Sequence, residues 1–272
     1  MEYVMVQGEE IPALGLGTWR MRGPDCRETV ADALDLGYQH IDTAQAYRNE
    51  REVGAAISGS DVPREDLFVT TKLDWSNRDH ESVLESTRAS LTKLQTEYVD
   101  LLLIHQPNLR TPLEETLGAM DELYEEGLIR YLGVSNFSVE QFDRARQVAS
   151  GPVLTNQVQY HPFWGKRELL DYCQIHDLML TAYSPLAHGG AVRDDMLRDI
   201  GVRHGKSPAQ VALRWLVQQE NVATIPKSTS HEHLADNLAV FDFELSDREM
   251  AAIRRPSAAR TAASFVRGRL SW

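Results

Sequence analysis

Tyr98-Val99-Asp100-Leu101-Leu102-Leu103-Ile104-His105 is a short apolar run that ends in a histidine. It reads as a β-strand delivering a polar group at its C-terminal end. Similar runs lie on either side of it along the chain, at 14–16, 38–41, 67–71, 131–134, 153–158, 179–183 and 223–225. With 99–104 they make eight candidate strands.

Amphipathic stretches separate these strands. The segment 25–36 places Val30, Ala33 and Leu34 on one side, and 79–94 repeats Val83, Leu84, Thr87, Leu91 and Leu94 at helical spacing. Thr111-Pro112-Leu113-Glu114 opens a helix with a cap, a proline in the first turn and acids near the positive end of the dipole. Ser138-Val139-Glu140-Gln141 and Ser207-Pro208-Ala209-Gln210 carry the same start signal. Eight strands, each followed by a helix, predict an α/β fold: a (β/α)8 TIM barrel. An N-terminal β-hairpin precedes it, turning at Gln7-Gly8, and two extra helices at 192–204 and 247–254 break the rhythm. One domain over 1–272 is expected, with an Ala/Arg-rich tail at 257–272 that either moves or wraps over the barrel mouth.

Composition narrows the function. The 272 residues carry a net charge of −12, which disfavours a nucleic-acid surface. No apolar run is long enough to span a membrane. Met1-Glu2-Tyr3-Val4 lacks the basic and apolar regions of a secretory signal. Cys26 and Cys173, the two cysteines, have neither disulfide-framework nor metal-knuckle spacing. A cytoplasmic monomer is expected, with no metal. His231 and His233 form a His-x-His without an apparent third ligand.

In a barrel of this kind, chemistry resides at the C-terminal ends of the strands and in the loops after them. Asp42 ends the second apolar run, Lys72 the third and His105 the fourth, and Tyr47 lies in the loop after Asp42. Each alone has an ordinary reading: a cap, a solvated strand end, a satisfied buried histidine, a packing residue. Together, at matching levels of successive strands, they suggest one site.

At these residues the chain resembles the aldo-keto reductase family, especially short-loop microbial-type members such as diketogluconate and glyoxal reductases. The resemblance rests on the block 37–47 with Asn49-Glu50, on Lys72 after Thr70-Thr71, and on His105 after Asp100-Leu101-Leu102-Leu103-Ile104. It continues through Gly133-Val134-Ser135-Asn136-Phe137, Asn156-Gln157, Tyr183-Ser184-Pro185-Leu186 and Ile225-Pro226-Lys227-Ser228, in order over nearly the whole chain. It implies a catalytic tetrad of Asp42, Tyr47, Lys72 and His105 that reduces small aldehydes and ketones with hydride from NADPH, or from NADH. A free tyrosine has a pKa of ~10, and a neighbouring ammonium lowers it. Lys72, paired to Asp42, would act so on Tyr47, the general acid, while a neutral His105 orients the carbonyl oxygen.

No Gly-x-Gly-x-x-Gly fingerprint is present, since Gly15-Leu16-Gly17 is followed by Arg20. The resemblance instead implies that Ser135, Asn136 and Gln157 bind the nicotinamide carboxamide. Tyr183 would stack on the ring, and Ser184 and Leu186 would lie along the pyrophosphate. Lys227, Ser228 and Thr229 would hold the adenosine 2′-phosphate near a helix start, with Asp236 and Asn237 at adenine. Trp19, Trp75 and Gln106 would line the substrate pocket. Gln106 stands where relatives often have tryptophan, and Trp75 is shifted by one position. A non-catalytic, cofactor-binding regulatory subunit of the same fold is the alternative; a Schiff-base aldolase using Lys72 is a third reading.

His233 occupies a position where many relatives carry arginine. Neutral histidine lacks the permanent planar charge that grips phosphate. NADPH should therefore be preferred over NADH by less than about a thousandfold in kcat/KM at pH 8. Measuring both cofactors at pH 6 and pH 8 checks this; a larger ratio at the higher pH refutes it.

Overall fold

The computed structural model describes residues 1–108 and 110–254. Strands β1 (Tyr3–Val6) and β2 (Glu9–Pro12) pair antiparallel, with Val6 opposite Glu9. Gln7 and Gly8 between them both have positive φ, 51° and 83°, as a tight hairpin turn requires. Val4, Val6 and Ile11 from this hairpin share an apolar cluster with Phe68, Leu101, Leu103 and Met179. The hairpin thereby covers one end of the larger sheet.

That sheet holds β3 (Leu16–Gly17), β4 (His40–Asp42), β5 (Phe68–Leu73), β6 (Val99–Ile104), β7 (Ile129–Ser135), β8 (Val153–Gln159), β9 (Met179–Tyr183) and β10 (Val222–Thr224). They run parallel in chain order. A parallel bridge between Leu14 and Thr224 joins the last strand to the first. Gly15 N donates to Thr224 O and Thr224 N to Ala13 O, both at 2.8 Å, so the sheet closes on itself. Fully buried β6 explains the unbroken apolar run: Leu101 and Leu103 join the hairpin's cluster, and Leu102 and Ile104 join the helix side.

The helices are α1 (Gly23–Asp35), α2 (Glu50–Ser58), α3 (His80–Leu94), α4 (Leu113–Glu125), α5 (Val139–Val148), α6 (Arg167–Ile175), α7 (Asp195–His204), α8 (Pro208–Val217), α9 (His231–Leu238) and α10 (Asp247–Arg254). The expected extra helices are α7, placed between β9 and α8, and α10 after α9. Ser138 and Ser207 form reciprocal capping boxes with Gln141 and Gln210. No described helix is long and apolar enough to cross a membrane.

Local expectations fail where neighbouring contacts compete. The second strand starts at His40, not at 38, because Gly37 and Tyr38 finish α1: Gly37 N donates to Leu34 O and Tyr38 N to Ala33 O. Thr111 does not cap α4; Pro112 occupies the cap position in an extended conformation, and the Thr111 hydroxyl accepts from Asn108 instead. The expectation for the tail at 257–272 lies outside the described residues.

The barrel interior is polar above its apolar end. His40 on β4 bonds Thr70 on β5 at 3.3 Å, and Thr155 on β8 bonds Thr181 on β9 at 2.9 Å. Room for the imidazole exists because residue 15 is glycine; a Cβ there would lie 2.7 Å from the ring. Burial, together with the Lys72 charge and against the pull of Asp42, lowers the His40 pKa from 6.5 to about 4. The unfolded chain takes up this proton first on acidification, so stability is intact above about pH 6.5 and declines as pH falls towards 4. The decline is worth up to about 3 kcal/mol from this residue. Melting temperature should fall across that window, and less steeply for His40→Gln; an equal slope in the variant would discard the assignment.

Candidate active site

The four candidate catalytic residues converge. Asp42 is the last residue of β4, Lys72 the next to last of β5, and His105 follows β6 directly. Tyr47 ends a short 3-10 turn, Gln45–Tyr47. Lys72 Nζ donates to Asp42 Oδ1 at 2.5 Å and to Thr43 O at 2.8 Å. Gln157 Nε2 donates to Asp42 Oδ2 at 2.7 Å. Both ionic side chains are sealed from solvent, at 0% and 1% exposure. Lys72 Nζ lies 5.1 Å from the centre of the Tyr47 ring, and the Tyr47 and His105 rings are 6.0 Å apart at 75°.

This geometry reverses one electrostatic expectation. The Tyr47 pKa is raised, by burial first and by the Asp42 carboxylate second. The Lys72 ammonium brings no opposing pull at Tyr47. Burial likewise draws Lys72 below the ordinary lysine range, with Asp42 opposing. His105 is lowered to about 4 by burial and then by Lys72, so it is neutral near pH 7, as expected. Tyr47 therefore holds its proton firmly until a strong base appears beside it.

The loop carrying Tyr47 is tied down by Asn49 and Glu50. Asn49 Nδ2 donates to Thr18 O at 2.8 Å and its Oδ1 accepts from Thr43. Buried Glu50 accepts from Thr71 and Lys93. Gln45 Oε1 accepts from Asp74 N at 2.7 Å and from Asn77 Nδ2 at 2.9 Å, stapling this loop to the one after β5.

The residues expected at a cofactor form one chain of contacts along β7, β8 and β9. Ser135 Oγ donates to Gln157 O; Asn136 Nδ2 donates to Ser135 Oγ and His105 O; Tyr183 OH donates to Asn136 Oδ1 at 2.8 Å. Asn136 and Ser184 hold left-handed φ of 62° and 50° at the strand ends. Leu186 is partly buried. At α9, Lys227, Thr229, His233 and Asp236 are exposed. Ser228 is buried, and its Oγ accepts from Ser230 N. Asn237 is buried beside Tyr38, whose phenol burial raises and an Asn237 hydrogen bond draws back. Among the substrate candidates, Trp19 and Trp75 are exposed, Trp75 lies 6.2 Å from His105 ring to ring, and Gln106 is exposed beside it. His231 reaches Asp32 at 3.7 Å, and no group of three or more candidate metal ligands occurs among the described residues. Both cysteines are buried thiols with pKa raised to about 12.

Arg78 and Gln45 are site neighbours that sequence reasoning missed. Arg78 sits in a polar stretch that reads as a solvated loop.

The aldo/keto reductase family model matches residues 13–257. The chain belongs to this family. An aldo-keto reductase of Mycolicibacterium smegmatis is 41% identical over 247 residues, covering 90% of each chain. Glyoxal reductase of Bacillus subtilis is 40% identical, over 90% of this chain and 89% of that one. The crystal structure of a protein provisionally named 2,5-diketo-D-gluconic acid reductase B superposes with a TM-score of 0.92 at 44% identity, over 94% and 92% of the two chains. As an aldo-keto reductase the chain is an oxidoreductase acting on a small carbonyl compound.

Removing one member of a buried ion pair leaves the other charge stranded. Lys72→Met should lower stability by about 3–5 kcal/mol, and adding Asp42→Asn should restore part of the loss. Chemical denaturation of both variants measures this; a fully additive double variant would contradict the coupling.

Proposed function

We propose that the chain reduces small aldehydes and ketones to alcohols with NADPH as preferred cofactor, NADH also being accepted, and with Tyr47 as general acid. The observation that carries this reading is the meeting of Tyr47 and His105 beside the sealed Asp42–Lys72 pair. The surrounding residues fit a nicotinamide dinucleotide. Exposed Lys227 stands with Thr229 before the N-terminus of α9, a setting that suits a phosphate. Asn136, Ser135 and Tyr183 offer amide and hydroxyl groups at the ends of neighbouring strands. Bound there, the cofactor supplies hydride to the carbonyl carbon.

This chain's own residues do the rest. His105, neutral because burial and Lys72 hold its pKa near 4, donates a hydrogen bond to the carbonyl oxygen without adding a second cation. Negative charge grows on that oxygen as the carbon is reduced. An alkoxide is a far stronger base than a phenolate, so Tyr47 gives up its proton at that moment despite a raised pKa. Lys72 and Asp42 hold the ring and keep the local charge near zero. Trp19, Trp75 and Gln106 border an open, partly polar mouth suited to small dicarbonyls and sugar-like ketones. The reading includes a single barrel domain over 1–272, acting as a monomer in the cytoplasm.

Turnover of methylglyoxal with NADPH oxidation tests the activity. Tyr47→Phe should lose about 10²-fold or more in kcat while keeping cofactor affinity, read by fluorescence titration. Retention of more than about a tenth of the activity would remove Tyr47 as the acid. Cofactor binding with no turnover by the unaltered chain would favour the regulatory-subunit alternative.

A further inference from the structure

The loop between β5 and α3 carries a charge that the reaction above does not use. Arg78 is only 4% exposed, yet its Nε and Nη1 are buried without a hydrogen-bond partner. Buried polar groups are almost always satisfied, and a buried guanidinium with orphaned donors is exceptional. Its backbone is firmly placed: Arg78 O accepts from Thr116 Oγ1 on α4 at 2.6 Å. Three residues earlier, Trp75 packs its ring on His105. The counter-charge that acts on Arg78 is Asp74, which forms no ion pair with it and is itself occupied by Ser76. His105 in turn feels the Arg78 charge. His105 Nδ1 is also buried without a hydrogen-bond partner.

We propose that Arg78 is a specificity-determining residue that anchors an ionised carboxylate on the carbonyl substrate, making oxo acids and aldehyde acids the favoured class. This rests on the carbonyl-reductase reading and narrows it. Arginine suits the task because its charge is permanent and its planar fork binds a carboxylate through two parallel hydrogen bonds. The Arg78 donors are closed to solvent, so a carboxylate reaches them by displacing the side chains that cover them, while the Thr116 contact holds the Arg78 backbone in place. A neutral substrate of the same length leaves those donors unmet.

The test compares matched pairs: succinic semialdehyde against butanal, and 4-carboxybenzaldehyde against benzaldehyde, with NADPH. In the unaltered protein kcat/KM should favour the acid of at least one pair. In Arg78→Gln the acid-to-neutral ratio of that pair should fall about tenfold or more, mainly through KM. Arg78→Lys should restore part of it, because it keeps the charge and loses the fork. Melting temperature should hold or rise in Arg78→Gln, since the buried charge has no internal partner to lose; a purely structural arginine would lower it. Benzoate, titrated calorimetrically, should bind the unaltered protein and bind Arg78→Gln about tenfold more weakly. An unchanged acid-to-neutral ratio with unchanged benzoate affinity overturns the proposal and points to water as the partner of those donors. No turnover of any aldehyde by the unaltered protein would sink the reductase reading instead, and the benzoate titration would still judge Arg78.

Discussion

A lysine and an aspartate locked together inside a cylinder of strands set the terms for everything around them. Lys72 and Asp42 are both excluded from water, and each is further satisfied, Lys72 by Thr43 O and Asp42 by Gln157. Such a pair gains little net stability over apolar residues of the same size. Its effect lies in position and charge. It joins β4 to β5, reaches across to β8, and places the Lys72 ammonium 5.1 Å from the centre of the Tyr47 ring.

Burial gives the site its character. Two proton carriers, Tyr47 and His105, face one another and are both neutral near pH 7, one because burial holds its proton on and the other because burial keeps a proton off. A low-polarity setting with neutral donors responds most strongly when charge appears on a substrate oxygen. The same residues in water would be indifferent to it.

Unusual backbone conformations gather around this site. Arg20, Arg48, Asn136, Ser184, Ala187 and His188 all have positive φ without being glycine, and all lie after barrel strands. Left-handed asparagine is the least costly of these. At Asn136 it aims the amide at Tyr183, Ser135 and His105 O, tying three strand ends together. Such positions persist only where surrounding contacts over-determine them, as here. The scaffold beneath is regular, with β5, β6 and β8 buried along nearly their whole length.

Much of this was legible in the chain alone. Apolar runs separated by capped helical stretches determined the barrel, the hairpin and both extra helices, because burial and capping are local in sequence. Polar residues ending successive strands marked the four residues that converge, because register in a parallel barrel carries strand ends to a common level. Tertiary structure decided what pairwise residue chemistry could not. It turned Gln157 towards Asp42, seated Asn237 beside Tyr38, raised rather than lowered the Tyr47 pKa, and sealed Arg78 away from water. The physical reason is common to all four: burial and polar contact depend on which groups meet in space, and residues distant along the chain supply them.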